Sequence, residues 1–420
     1  MTDSVRPAAT GPSRNGLSLR LAFLVSTTGD WIYRFAVPIL ILRSTGSALS
    51  TAFAYVLEFV PYIGLGLVAG VVADRWDRRR VMIFCDVTSM VVALVIAVLA
   101  GTDHPPIVAL YAAAFGLACV RPFYFPAFQG LLVDVVPEQK LSRLNSWTQT
   151  VDSTLTLAGP VVGTAIIAAA GVPLATAVNA VSFGISALLV YRIAHRNQRG
   201  AEGAEVGVLT GVATDFVAGL RILWSTTAIL WGTALMAAAN LAAYVVEGSL
   251  VYLALRVEHL HNVALGVVFS AQGLGAVAGA VLAPRLLDRY PAGQMLTWGM
   301  GMSAVSMAIP VLHPQWWVVV LGWGTEGIAT SLIIVSWFTA RQKILPSEVM
   351  GRVVSISRAA AYATIPLGAV LGAWLVGIAG GNAVRVLFLA GALMQAAVFV
   401  GTAVSPVNRI ERAATDPSPA

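Results

Sequence analysis

Twelve stretches of this chain run for about 20 residues with almost no charge, a length that lets a helix cross a bilayer's ~30 Å hydrocarbon core. They cover 17–43, 49–73, 81–101, 107–132, 146–170 and 172–194, then 227–257, 263–285, 294–312, 315–340, 353–380 and 382–404. Loops or open strands at that depth would leave backbone amides without partners, so helices are the only spanning form for such runs. Charged residues make up 11% of the chain, against roughly 25% in a soluble domain, too little polar surface to cover a water-soluble core of this size. The predicted class is all-α, a polytopic membrane protein.

The chain also repeats itself at an offset of 209 residues. Gly70 answers Gly279, Arg80 answers Arg289, Pro137 answers Pro346, Arg143 answers Arg352, Gly159 answers Gly368 and Gly163 answers Gly372. Glycine is abundant here, so the proline and arginine pairs carry more weight. The expected organisation is twelve transmembrane helices in two six-helix bundles, 17–194 and 227–404. A cytoplasmic linker, 195–226, joins them, with an amphipathic stretch around Asp215 to Trp224, and the tails 1–16 and 405–420 are expected to be disordered. Membrane proteins built from two such halves are typically transporters with the substrate site between the halves.

The net charge of +6 is a topology signal rather than a mark of nucleic-acid binding. All but six of the 26 lysines and arginines fall in alternate interhelical segments. The exceptions are Arg43, Arg256 and Arg385 in the intervening loops, and Arg34, Arg121 and Arg358 inside spans. The positive-inside rule therefore puts both termini in the cytoplasm of a multi-pass protein of the plasma or inner membrane. No A-x-A site closes the first apolar run, which Asp30 and Arg34 interrupt, so it reads as an uncleaved span. Cys85 and Cys119 lie in apolar runs and read as small packing residues.

Between the second and third spans runs Gly70-Val-Val-Ala-Asp74-Arg75-Trp76-Asp77-Arg78-Arg79-Arg80. This resembles the G-x-x-x-D-R-x-G-R-R/K loop of the major facilitator superfamily, with Asp77 where glycine is usual. The resemblance covers about 20–404. It implies the major facilitator fold and gives Gly70, Asp74, Arg75 and Arg79 the role of a cytoplasmic gate that latches the two halves and stabilises the outward-open state. Asp77 puts the tight turn in question more than the latch, and Ala283 replaces the acid in the second copy. Gly159-Pro160-Val-Val-Gly163 in the fifth span is similar to the glycine–proline motif of superfamily antiporters, which implies export and a helix bend. Pro137-Glu138-Gln-Lys140-Leu-Ser-Arg143 and Pro346-Ser-Glu348-Val-Met-Gly351-Arg352 resemble short loops of members related to siderophore and macrolide exporters.

An ionisable side chain near mid-bilayer costs ~2.5 kcal/mol or more unless paired or wet, so each one is a functional candidate. They are Asp30, Arg34, Glu58, Arg121, Asp152, Glu247, Glu326 and Arg358. Asp30 and Arg34 lie four apart and can pair on one helix face, either as structure or as a pair that opens during proton exchange. Glu247 shares a face with Asn240 and Tyr244, and reads either as a cavity group or as an extracellular helix-end residue. Glu326 sits deep in its span between Trp323 and Thr330, where few structural roles suit a lone glutamate. Arg121 is similar to the fourth-helix arginine of proton-coupled exporters, without the expected spacing to Gln129-Gly130. Asp152 is placed to partner either Arg121 or Arg358. Tyr33, Tyr55, Tyr62, Phe123, Tyr124, Trp323 and Tyr362 either line an amphipathic pocket or pack, while Trp316 and Trp317 fit an interfacial belt.

The leading expectation is a proton-coupled exporter of hydrophobic or amphipathic small molecules working by alternating access, monomeric, with no cofactor, no metal and no nucleic-acid partner. Export of an endogenous product such as a siderophore would use the same machinery. A membrane-embedded enzyme finds no support: there is no H-E-x-x-H, no P-loop and no Ser/His or paired-Asp constellation. His104, His195, His259, His261 and His313 all fall in loops.

Overall fold

The computed structural model describes residues 14–410 apart from 103–104, 137, 194–207, 259–261, 314 and 346. The side chains of Gly70, Asp74, Arg75, Arg143, Asp152, Pro160, Arg352 and several others also lie outside the described set, as do Pro137, Pro346, most of both expected tails, His104, His195, His259 and His261. Among the described residues there is no strand. The helices are α1 (Arg14–Thr45), α2 (Ala48–Arg75), α3 (Arg78–Ala100), α4 (Ile107–Val135), α5 (Glu138–Tyr191), α6 (Val208–Ser225), α7 (Thr227–Tyr252), α8 (Asn262–Leu287), α9 (Ala292–Leu312), α10 (Trp316–Ile344), α11 (Ser347–Tyr362), α12 (Thr364–Ala379) and α13 (Ala383–Val404). Nine stretches among them are long and apolar enough to cross a membrane. Phe84, Val108, Leu312 and Trp374 are more than half exposed, a surface that suits lipid rather than water.

The departures from the expected spans have local causes. The fifth and sixth spans form one run whose non-helical residue is Gly171, at φ 77° and ψ 166°, a conformation open essentially only to glycine. Gly171 is the residue between the expected spans 146–170 and 172–194, so the turn between them falls where the sequence placed it, and the backbone at Pro160 stays helical. Both proline-led loops are shorter than expected, since α5 and α11 begin directly after 137 and 346. The eleventh span divides into α11 and α12 at Ala363. Pro366 falls in the first turn of α12, where its missing N–H leaves no helical bond unmade. The Thr364 hydroxyl fastens that break by donating to Ala361 O (2.9 Å) and to Ala237 O of α7 (2.7 Å). The seventh span closes in a π-turn at Leu253–Val257.

The repeat in the sequence reappears as a repeat in packing. α1 packs on α5 and α7 on α12; α2 packs on α4 and α8 on α10; α3 packs on α4 and α5, as α9 does on α10 and α13. Its glycines sit where helix backbones touch. A Cβ added to Gly159 would fall 2.5 Å from the Trp31 ring, and one on Gly163 3.0 Å from Trp31 O, both on α1. On the counterparts Gly368 and Gly372, a Cβ would fall 2.6 Å from Leu241 O and 1.9 Å from Val245 O, both on α7. Small residues permit such approaches between membrane helices, which is why these positions recur in both copies.

The hydrophobic core is unequally shared along the molecule. At the end bearing the α2–α3 turn it is split: Leu19, Phe23, Met82, Phe128 and Leu131 form one cluster, Ile229, Leu296, Met300, Trp337 and Val398 another. At the opposite end one cluster spans both copies, joining Ile39, Leu42 and Leu117 to Val246, Leu250, Leu265 and Phe388.

Candidate functional site

Between the two separate clusters opens a cavity of ≈ 1220 Å³, reaching from Val251 and Phe269 beside the shared core to Phe23 and Arg341. Asp30, Arg34, Glu58, Arg121, Glu247, Glu326 and Arg358 all line it, so the charges scattered through six different spans face one chamber. Asp152 lies outside the described side chains. A second, apolar groove of ≈ 1050 Å³ between α2 and α12 is walled by exposed Phe53, Leu367 and Trp374, and has no charged group to offer.

On the first-half wall, Asp30 does not pair with Arg34. Its carboxylate accepts from Arg121 Nη2 of α4 at 3.1 Å, while Arg34 lies over the Trp31 ring, 4.7 Å from its centroid. Arg121 Nη1 also lies 3.7 Å from Glu58 Oε1 on α2. Two carboxylates thus share one guanidinium across three helices, and each of the three side chains keeps about a quarter of its surface accessible. Asp86, absent from the sequence-based candidates, stands beside this group. It is 1% exposed on α3 and accepts from Ser186 Oγ (2.7 Å) and Ser26 Oγ (3.3 Å), with the Tyr124 hydroxyl 3.3 Å from Ser186. It is the sole acid in the apolar run 81–101, and that signal was available in the sequence.

On the second-half wall, Glu326 is 4% exposed on α10. Its carboxylate accepts from Ser303 Oγ (2.9 and 2.7 Å) and Ser306 Oγ (2.5 Å) of α9, and from Thr330 Oγ1 (3.3 Å) one turn on. Among the described residues only neutral hydroxyls serve it, so adding a proton there removes a charge and breaks no ion pair among them. Glu247 faces the cavity alongside Tyr244 and Asn240, whose amide donates to Ala361 O at 2.9 Å. It is a chamber group and not a helix-end residue. Tyr244 also belongs to an aromatic cluster with Tyr55, Phe59 and Tyr362, ring centroids 5.8–5.9 Å apart, which bridges α2, α7 and α11. Tyr124 and Trp323 line the chamber as well; Phe123 packs in the first-half core instead, and Tyr62 lies outside the described side chains.

The α2–α3 turn makes clear use of Asp77. It is the N-cap of α3, accepting from Arg80 N at 3.1 Å, so the acid replaces the usual glycine with a side-chain cap. Arg78 donates to Gly130 O and to Asp134, both at 3.0 Å. Arg79 donates to Val190 O at 3.2 Å and to Tyr191 O, and lies over the Tyr191 ring. These contacts tie the turn into α4 and α5. Gly159 and Gly163 support the α1 wall from behind.

Known proteins resemble this chain in sequence and in fold. The family model described as transmembrane secretion effector matches residues 14–419. The multidrug efflux pump Tap of Mycolicibacterium fortuitum is 29% identical over 378 residues, 87% of this chain and 90% of Tap. Macrolide efflux protein A of Streptococcus pyogenes is 28% identical over 138 residues, 33% of this chain and 34% of that protein. Among solved structures, a bacterial homologue of the iron transporter ferroportin in its inward-facing state superposes with a TM-score of 0.73 at 19% identity, covering 94% of this chain and 100% of the other. A fold of apolar helices around a charged chamber, matched by one family model over nearly its whole length, makes this chain a transporter of the major facilitator superfamily and a member of its transmembrane secretion effector family.

Proposed function

We propose that the chain is a proton-coupled exporter of hydrophobic or amphipathic small molecules that works by alternating access in the plasma or inner membrane. The observation that carries this reading is a chamber bounded by separate cores at one end and a shared core at the other, with Asp30, Glu58, Glu247 and Glu326 on its walls. Counting the limbs of α5 on either side of Gly171 separately, and α11 with α12 together, gives twelve crossings in two bundles, with α6 in the linker. With the basic turns cytoplasmic, the chamber faces inward. Substrate enters from the cytoplasm between the aromatic and apolar walls. The halves then rock about the midplane, the cytoplasmic cores close together, and the shared core parts. Proton uptake on the far side, at Glu326 or at the acid pair on Arg121, discharges the chamber and favours return. The gate of Gly70, Asp74, Arg75 and Arg79 latches the outward-open state, and the contacts of Arg79 within α5 are those of an unlatched turn. The resemblance to Tap and to macrolide efflux protein A over their matched lengths supports export.

The test is transport in inverted vesicles with an imposed pH gradient across a compound panel. Glu326→Gln should abolish gradient-driven transport while the protein still inserts, and full activity in that variant would remove Glu326 from the mechanism. Asp74→Asn should slow turnover without changing which compounds move; an altered substrate range would contradict the latch.

A further inference from the structure

The buried carboxylate of Glu326 is met by oxygen atoms from two helices and, among the described residues, forms no ion pair. Its Oε1 accepts from Ser303 Oγ at 2.9 Å and Thr330 Oγ1 at 3.3 Å, and its Oε2 from Ser303 Oγ at 2.7 Å and Ser306 Oγ at 2.5 Å. A third helix brings a second, independent feature. Gln395 of α13 is 1% exposed, and its Nε2 donates to Met300 Sδ (3.4 Å), one turn before Ser303 on α9. Its Oε1 is buried with no hydrogen-bond partner. Glu326, Thr330 and Gln395 all line the chamber, so the pocket opens onto it.

A buried acceptor without a donor and a buried acid without a counter-charge lack the same thing, a positive charge. Hydroxyls that donate to the carboxylate keep lone pairs of their own, which a cation can share. Carboxylate, hydroxyl and amide oxygens suit a hard cation, and one carboxylate balances one monovalent charge. Calcium takes six to eight oxygen ligands and magnesium keeps several waters, more than this pocket offers. Among the described residues no three His, Cys, Asp or Glu side chains gather, as a transition-metal site would require. The pocket is also held narrow. A Cβ on Gly322 of α10 would fall 2.8 Å from Ser306 O, and one on Gly299 of α9 would fall 2.8 Å from Ile333 Cγ1. These close approaches fix α9 against α10 on either side of Glu326, which favours a small ion over a large one.

We propose that the pocket between α9, α10 and α13 binds a sodium ion, held by the Glu326 carboxylate, the hydroxyl oxygens of Ser303, Ser306 and Thr330, and Gln395 Oε1. The export reading lets protons enter at the acid pair on Arg121, so the ion site goes beyond that reading, and its test needs no transport.

The experiment follows thermal unfolding of the purified full-length protein in detergent as sodium chloride replaces N-methylglucamine chloride at fixed pH and constant ionic strength. A parallel series uses potassium chloride. An ion that binds only the folded state raises Tm with its concentration, so wild-type protein should show a rise with sodium and a smaller one with potassium. Glu326→Gln, which keeps the shape and removes the charge, should abolish the rise. Gln395→Met, which removes the acceptor and keeps the volume, should lower sodium affinity about ten-fold, the loss of one contact to a charged group. No rise in the wild type, an equal rise with potassium, or a rise that survives Glu326→Gln would each overturn the proposal. Should Glu326→Gln fail to fold, an unchanged sodium affinity in Gln395→Met would overturn it as well. A protein that sodium stabilises yet that moves nothing in a pH gradient would sink the export reading and leave this site standing.

Discussion

Replacing Arg121 by glutamine should destabilise the protein more than replacing either acid it holds. Arg121 lies 3.1 Å from Asp30 with a hydrogen bond and 3.7 Å from Glu58. At an effective dielectric of about 20 the gross attractions are about 5 and about 4 kcal/mol, so Coulomb energy alone barely separates the two contacts. The hydrogen bond does separate them, since one to a charged group contributes about 1.5–3 kcal/mol. The side chains are 24%, 22% and 29% exposed to the chamber. That wetting keeps the loss below the ~3–5 kcal/mol of breaking a dry pair. The expected losses are about 2–3 kcal/mol for Arg121→Gln, which strands two carboxylates together, about 1–2 for Asp30→Asn, and under about 1 for Glu58→Gln. Cys85 is 3% exposed, so a thiol-reactive fluorophore on a Cys119→Ser background reports unfolding of the first-half core during heating. The double variant Asp30→Asn/Arg121→Gln closes the cycle and isolates the pair's coupling. The reasoning is refuted if Arg121→Gln melts no lower than Asp30→Asn, or if the coupling lies within about 0.5 kcal/mol of zero.

Three further outcomes are expected from the same melting assay. Gly372→Ala drives a methyl to 1.9 Å from Val245 O and should cost about 1–3 kcal/mol, whereas Gly377→Ala, with nothing within 4 Å, should cost nothing; equal Tm values for the two would argue against close α7–α12 contact. Gly171→Ala forces a Cβ into φ 77°, ψ 166° and should cost about 1–3 kcal/mol; an unchanged Tm would mean that the two limbs of α5 form one unbroken helix. Asp77→Ala removes the α3 cap and should cost about 1 kcal/mol, with Asp77→Asn and Asp77→Ser restoring most of it; a glycine there as stable as aspartate would show that the turn, not the cap, sets this position.

The all-helical, apolar character was legible because a bilayer imposes its thickness on the sequence and apolar length is a local property; nine stretches among the described residues are long and apolar enough to cross a membrane. The partners of charges were not. Asp30 and Arg34 satisfy the spacing for a pair on one helix, but Arg121, ninety-one positions away, takes the acid. Nothing local announces that choice: it depends on α1 and α4 meeting, and on Arg34 finding the Trp31 ring. Asp86 and Arg341 were missed for a different reason. Both lie within a few residues of the basic ends of their runs, where a charge reads as interfacial, although Asp86 is almost completely buried and Arg341 Nε is sealed from water.

The two halves kept their packing and lost their chemical likeness, and the physics of each explains the difference. Where α5 crosses α1 and α12 crosses α7, backbone approaches to within a methyl's width, and only glycine at one fixed register meets that demand. Gly163 and Gly372 therefore recur. A carboxylate that must reach a chamber faces a looser requirement, because any helix on the wall can present it if neighbouring hydroxyls are in range. In the first half the buried acid is Asp86 on α3, served by Ser26 and Ser186. In the second it is Glu326 on α10, served from α9 by Ser303 and Ser306. Neither position has an acid in the other copy: Met295 answers Asp86, and Leu117 answers Glu326.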